Sequence, residues 1–123
     1  MIVRVLTARV PARNAGTFNE LLRAELKELQ TQPGLVYAKL ARRLDENDDE
    51  EVVLFEEWRT PADVWAWTGG QLHVPRLLPG TEELVENLVI THYEALDTAV
   101  EMGDVNIPMR PIVVETGRAS EAR

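Results

Sequence analysis

Runs that alternate apolar and polar residues give way to helix-periodic runs, and back again, in an order that few folds satisfy. Residues 2–10 (IVRVLTARV) are β-branched and alternate, and Pro11 closes them, so they read as a strand. From Thr17 onward Phe18, Leu21, Leu22, Leu26 and Leu29 recur at helical spacing, while Glu20, Arg23, Lys27 and Glu28 occupy the opposite face. Pro33-Gly34 ends that helix. Residues 35–44 and 52–58 read as a second and a third strand. Between them DENDDEE (45–51) places six carboxylates in seven residues, too much charge to pack, so it reads as a solvated hairpin tip. A calcium loop would need a set ligand spacing around a glycine turn, which this run lacks. Thr60-Pro61-Ala62-Asp63 opens a second helix: a capping hydroxyl, proline at the first helical position, and an acid near the positive helix end. It carries Val64, Trp65 and Trp67 and meets Gly69-Gly70. A further short helix is expected over 71–78, a helical turn or linker over 81–86, and a fourth strand over 87–96. The order βαββαβ is the split βαβ unit: an α+β, ferredoxin-like antiparallel sheet with its helices on one face. The domain is expected to span 1–97. Residues 98–123 form an extension with one strand-like run (PIVVE, 111–115) and a disordered end, GRASEAR.

Two helices cover one face of such a sheet, yet the strands are apolar on both. The third sets Val52, Leu54 and Trp58 against Val53 and Phe55; the fourth sets Leu88, Ile90 and Leu96 against Val89, Tyr93 and Ala95. A bare second face would expose a large apolar patch. A second copy of the chain is the economical cover, closing two sheets into a dimeric α/β barrel. The extension would add a strand there or shield an edge.

Composition narrows the function. At 123 residues, 45% hydrophobic and 28% charged, the chain is one folded domain with a core of its own. No apolar run is long enough to span a membrane, and residues 1–10 are broken by Arg4 and Arg9, so a cytoplasmic protein is expected. A net charge of −8 argues against nucleic-acid partners and against adsorption to anionic membranes. The absence of cysteine removes disulfides, thiolate nucleophiles and Cys-ligated metals, and two histidines are too few for a His-built metal site. Neither a phosphate-binding glycine loop nor a serine triad fits: the single serine is Ser120, in the tail.

The strand ending FEEW (55–58), the helix RTPADVWAW (59–67), His73 and HYEAL (92–96), in this order, resemble the antibiotic biosynthesis monooxygenase family over about residues 1–96. The resemblance implies a homodimeric α+β barrel with a pocket between each sheet and its helices. It implies oxygenation of an electron-rich aromatic, a quinol or an anthrone, with no cofactor and no metal. In the quinol-oxygenase branch an Asn and a Trp lie one turn apart on the second helix, with a Tyr some six residues later. The matching positions here are Asp63, Trp67 and His73. A haem-degrading branch carries an Asn on the first strand and an axial His ten residues after the same Trp. Thr7 and Leu77 stand there, so only Trp67 fits.

Each candidate also has a structural reading. Trp67 walls an aromatic substrate, or anchors the helix to the sheet. His73, after a flexible glycine pair, is a general base near neutral pH, or a surface histidine. Asp63 is a helix-start carboxylate that also faces the pocket. His92 contacts ligand, or pairs with Glu94. Tyr37 points into either cavity, Trp58 packs at a strand end or lines the pocket, and Arg76 binds an anionic substrate or makes an exposed ion pair. In the expected reaction His73, with Trp67 and Asp63, is catalytic, while His92, Tyr37, Trp58 and Arg76 bind substrate. A non-catalytic ligand-binding or structural dimer and a polyketide-type isomerase or cyclase are the alternatives.

Overall fold

The computed structural model describes residues 1–96 and 110–114. Strands β1 (Ile2–Val10), β2 (Leu35–Leu44), β3 (Glu50–Trp58), β4 (Asn87–Glu94) and β5 (Ile112–Val114) form one antiparallel sheet in the order β2-β3-β1-β4-β5. Helices α1 (Ala15–Leu29) and α2 (Pro61–Thr68) connect β1 to β2 and β3 onward to β4. This is the ferredoxin-like α+β arrangement that the order of elements predicts. The PIVVE run supplies β5, which pairs Leu88 with Val114 and Ile90 with Ile112 and covers the β4 edge. The other edge, β2, carries Lys39, Arg42 and Arg43, charges that discourage edge-to-edge pairing. No helix among the described residues is long and apolar enough to cross a membrane. The domain end at Asp97, residues 98–109 of the extension and the GRASEAR end lie outside the described residues.

Strand alternation is strict. Even-numbered positions of β1, β3 and β4 face the helices and, half-buried Glu94 apart, are buried, while Val3, Val5, Val53, Phe55, Val89 and Tyr93 lie on the other face with more exposure. Val10, Phe18, Leu29, Val52, Trp58, Leu88 and Ile90 form the centre of the core. Each large side chain so buried contributes about 1.5–3 kcal/mol. On the outer face Tyr37 meets Phe55 edge to face, with ring centroids 6.0 Å apart.

Several boundaries differ from the sequence reading. Helix α1 begins before Thr17, and its N-cap residue Asn14 donates its side-chain amide to the Leu84 carbonyl instead of capping the helix. Its buried stripe is Phe18, Leu22, Glu25 and Leu29, so a carboxylate occupies a core position. Glu50 and Glu51 belong to β3 rather than to the acidic tip. Glu50 is buried and paired with Arg42 and the Asn19 amide. The remaining tip is a turn: Asp45 accepts the Asn47 and Asp49 amides, and Arg9 pairs with Asp45 and Asp49. Residues 71–78 form a turn at 72–73, a bend at Val74 and irregular chain after it, rather than a helix. Pro75 and Pro79 lack amide protons, Pro75 disfavours helical geometry at Val74, and Arg4 takes the Leu72 and Val74 carbonyls. The expected turn over 81–86 is present at Glu82–Leu84. β4 stops at Glu94, leaving Leu96 exposed beyond it.

Helix α2 starts as its sequence dictates. The Thr60 hydroxyl accepts the Asp63 amide and donates to the Asp63 carboxylate, with Pro61 in the first turn. Asp63 also packs against Gly34, whose φ is +86°; a Cβ built there would lie 2.1 Å from the Asp63 Cγ. Gly34→Ala therefore combines backbone strain with displacement of the cap. A loss of about 1–3 kcal/mol is expected in urea denaturation, and an unchanged midpoint would show that the turn absorbs the methyl group.

Candidate functional site

Antiparallel register aligns three polar residues across the inner face of the sheet. Arg4 of β1 lies opposite Glu56 of β3 on one side and His92 of β4 on the other. All three are buried. The Arg4 Nε lies 3.8 Å from the Glu56 Oε1. Arg4 Nη1 lies 2.9 Å from His92 Nε2 and donates to the Leu72 carbonyl at 3.1 Å, while Nη2 donates to the Val74 carbonyl at 2.7 Å. One guanidinium thus ties the sheet row to the segment after α2. A guanidinium only donates, so His92 Nε2 accepts, and the ring proton resides on Nδ1. That Nδ1 has no hydrogen-bond partner among the described residues.

The two buried tryptophans stand beside this row. Trp58 Nε1 donates to Glu56 Oε1 at 2.9 Å, and its ring lies 6.2 Å from that of Trp67, tilted by 34°. The Arg76 guanidinium sits 4.3 Å above the Trp67 ring, donates to the Trp67 carbonyl and pairs with Glu28 at 3.2 Å. Glu25 is 1% exposed, and among the described residues its carboxylate has only the Leu78 backbone N–H nearby, with no well-directed hydrogen bond to either oxygen.

Burial dominates the electrostatics. It raises Glu56 to about 7 despite the opposing Arg4 charge and Trp58 N–H, with the Glu25 charge adding to the rise. It raises Glu25 to about 7 as well, against the pull of Arg76 and the Leu78 backbone and with Glu28 pushing upward. His92 falls to about 4 through burial and then the neighbouring Arg4 charge, so it is neutral at pH 7. Burial also lowers Arg4, partly offset by Glu56, yet a guanidinium remains charged.

The structure brings Trp58, Trp67, Arg76 and His92 to this side of the sheet. His92 meets Arg4 rather than Glu94. His73 is exposed on the turn following α2. Asp63 is engaged with Thr60 at the helix start, and Tyr37 lies on the opposite sheet face against Phe55. Arg4, Glu25 and Glu56 were absent from the sequence reading. A signal existed for two of them: Arg4 and Glu56 occupy inward positions of otherwise apolar alternating strands.

Enclosed space on the helix side is small. The void bordered by Leu6, Phe18, Leu54, Leu77 and their neighbours measures about 10 Å³, near the minimum for one water. Among the described residues no group of three or more His, Cys, Asp and Glu side chains is placed to hold a metal ion.

The model of the antibiotic biosynthesis monooxygenase family matches residues 1–74. The chain belongs to that family. Solved structures agree in fold. An antibiotic biosynthesis monooxygenase is 17% identical, with 79% of this chain and 100% of the other covered and a TM-score of 0.62. Rv0793 from Mycobacterium tuberculosis is 22% identical, with 81% and 100% covered and a TM-score of 0.61. A MhuD variant holding two manganese protoporphyrin IX molecules per active site is 18% identical, with 85% and 100% covered and a TM-score of 0.55. No curated protein matches the chain. For this family member the inner sheet face under α2 and the 69–86 segment is the candidate active site.

Proposed function

We propose that this protein is a cofactor-independent monooxygenase acting on an electron-rich aromatic of the quinol or anthrone type, working as a cytoplasmic homodimer. The observation that carries the reading is the buried Glu56–Arg4–His92 row beside Trp58 and Trp67, within a monooxygenase-family fold. A cluster of shifted titratable groups next to aromatic walls suits proton removal from a phenol or benzylic carbon. For an anthrone, a base takes one C–H proton and leaves a carbanion. The carbanion adds dioxygen, with electron transfer to oxygen, to give a peroxide anion that regains a proton. Removal of the second C–H proton then breaks the O–O bond, yielding the ketone and water. Arg4 and the neutral His92 supply positive charge and an N–H for the developing anions, and the tryptophans exclude water.

The void between the sheet and α1 beside Leu6, Phe18 and Leu77 has room for no more than a water, so in this reading an aromatic ring enters the inner face by displacing the 71–81 segment. That filled interior favours a second reading, a non-catalytic dimer of the same fold. The residues do not fit haem in the manner of the haem-degrading branch. Leu77 offers no metal-ligating atom, and Thr7 belongs to the odd-numbered face of β1, opposite Arg4 and Leu6. The dimer contact proposed here is the outer sheet face bearing Tyr37, Phe55 and Tyr93; light scattering after gel filtration tests for the dimer, and a Phe55→Arg variant that becomes monomeric would place the contact on that face.

Oxygen uptake with a panel of anthrones, naphthols and quinols, with no added metal or flavin, tests the reading. Uptake above autoxidation is expected, falling by about 10²-fold or more in Trp67→Ala, a loss typical of misplaced substrate. His73→Ala reports whether the exposed histidine takes part: a similar loss would place it in the reaction, and an unchanged rate would leave it on the surface. No uptake by an intact dimer would favour the non-catalytic reading.

A further inference from the structure

We propose that Glu25, on the inward stripe of α1, is the proton acceptor of this site, taking the proton of a phenolic or enolisable aromatic bound against Trp67. The assignment rests on the oxygenase reading for its place in a reaction, while its chemistry is testable alone.

Geometry singles out Glu25 among the basic groups. It occupies a core position between Leu22 and Leu29, sealed from solvent, and among the described residues the only backbone group that acts on its carboxylate is the Leu78 N–H, which makes no well-directed hydrogen bond to either oxygen. Buried polar atoms are nearly always satisfied, and an unsatisfied carboxylate in a family active-site fold marks lone pairs held for something else. Glu56, the other buried acid, is already engaged: it accepts the Trp58 N–H and faces the Arg4 guanidinium. His92 has committed its basic nitrogen to Arg4. His73 points to solvent.

The surroundings suit the role. Arg76 reaches Glu25 electrostatically while its guanidinium lies over Trp67, so the acid, the cation and the indole close round one place. The groups acting on Glu25 are Arg76 and the Leu78 backbone, which lower its proton affinity, and Glu28, which raises it; Glu56, on the same face of the sheet, is its acidic neighbour. Together with burial they poise the carboxyl near neutrality, where a general base works best. In the step itself the substrate O–H or C–H bond breaks, its electron pair stays on the substrate, and the proton forms an O–H bond on a Glu25 oxygen. No oxidant enters that step; dioxygen acts afterward.

The probe is 2-naphthol, whose hydroxyl becomes strongly acidic on excitation and whose emission shows whether the proton has left. Bound to wild-type protein at pH 8 it is expected to emit as naphtholate, and that emission should fade as the pH drops through about 7. Bound to Glu25→Gln, with unchanged circular dichroism, it is expected to emit as neutral naphthol. The wild-type titration needs no variant and stands if Glu25→Gln fails to fold. Failure of wild-type protein to bind 2-naphthol, a pH-independent emission, or naphtholate emission persisting in Glu25→Gln would each overturn the assignment. In oxygen uptake, Glu25→Gln should lose about 10²–10⁴-fold in kcat; a loss below tenfold overturns Glu25 as the base and leaves the oxygenase reading standing. Naphtholate emission without oxygen uptake by the wild type has the opposite meaning: the oxygenase reading fails and Glu25 remains the proton acceptor of a phenol-binding site.

Discussion

Arg4→Met is expected to destabilise the protein by about 3–5 kcal/mol at pH 8, the cost of stranding one partner of a buried ion pair. Arg4 is fully buried, and its loss leaves Glu56 without its cation. It also leaves the Leu72 and Val74 carbonyls without donors, releasing the segment that covers the site. The cost should shrink at pH 5. There Glu56, already raised to about 7, is protonated and needs no counter-charge. Pairing the substitution with Glu56→Leu should recover part of the loss, since removing both members of a buried pair is far cheaper than removing one. Urea denaturation of the two variants at both pH values measures all of this. A single variant as stable as the wild type at pH 8 would mean that solvent enters freely and Arg4 is not a buried tie.

Between about pH 4.5 and 7 the protein is expected to lose stability as the pH rises, by about 3 kcal/mol in total. The sign follows from three groups. Glu25 and Glu56 are raised from 4.5 to about 7, so each holds a proton in the folded state that the unfolded chain has released. Their contribution is complete below 4.5 and is lost as the pH climbs through about 7. His92 is lowered from 6.5 to about 4 and acts in the opposite sense, its contribution complete above 6.5 and lost as the pH falls through about 4. Two excess protons less one missing proton give a net slope near one proton, or about 1.4 kcal/mol per pH unit. Above 6.5 the histidine stops opposing the two acids just as they begin to ionise, so the slope holds near one proton and then dies away. Glu25→Gln removes one acid and should make stability nearly flat between pH 4.5 and 6.5. Denaturant midpoints across this range decide it; a stability that rises with pH would show the two glutamates ionised in the folded state throughout.

The element order was legible because local rules act on neighbouring residues. Alternation in 2–10 and 52–58, the Thr60-Pro61-Asp63 start and the acidic tip each specify geometry within a few residues, and the sheet order follows from the βαββαβ sequence. The 71–78 segment misled because its apolar content suits a helix, whereas its carbonyls are claimed by Arg4, some seventy residues earlier in the chain. Glu25 carried no local signal. Only the helix's rotation against the sheet sets it at a core position between Leu22 and Leu29.

The sequence by itself determined the fold class and the family, because periodicity, caps and turn residues are local properties and the FEEW and RTPADVWAW segments are contiguous. Tertiary structure alone decided which residues meet in the candidate site. Glu56, Arg4 and His92 come from three strands, and strand register sets them in one row. Glu25 and Arg76 join them from a helix and a turn, and the proton affinities of these groups depend on burial and on neighbours distant in sequence, which no local pattern encodes.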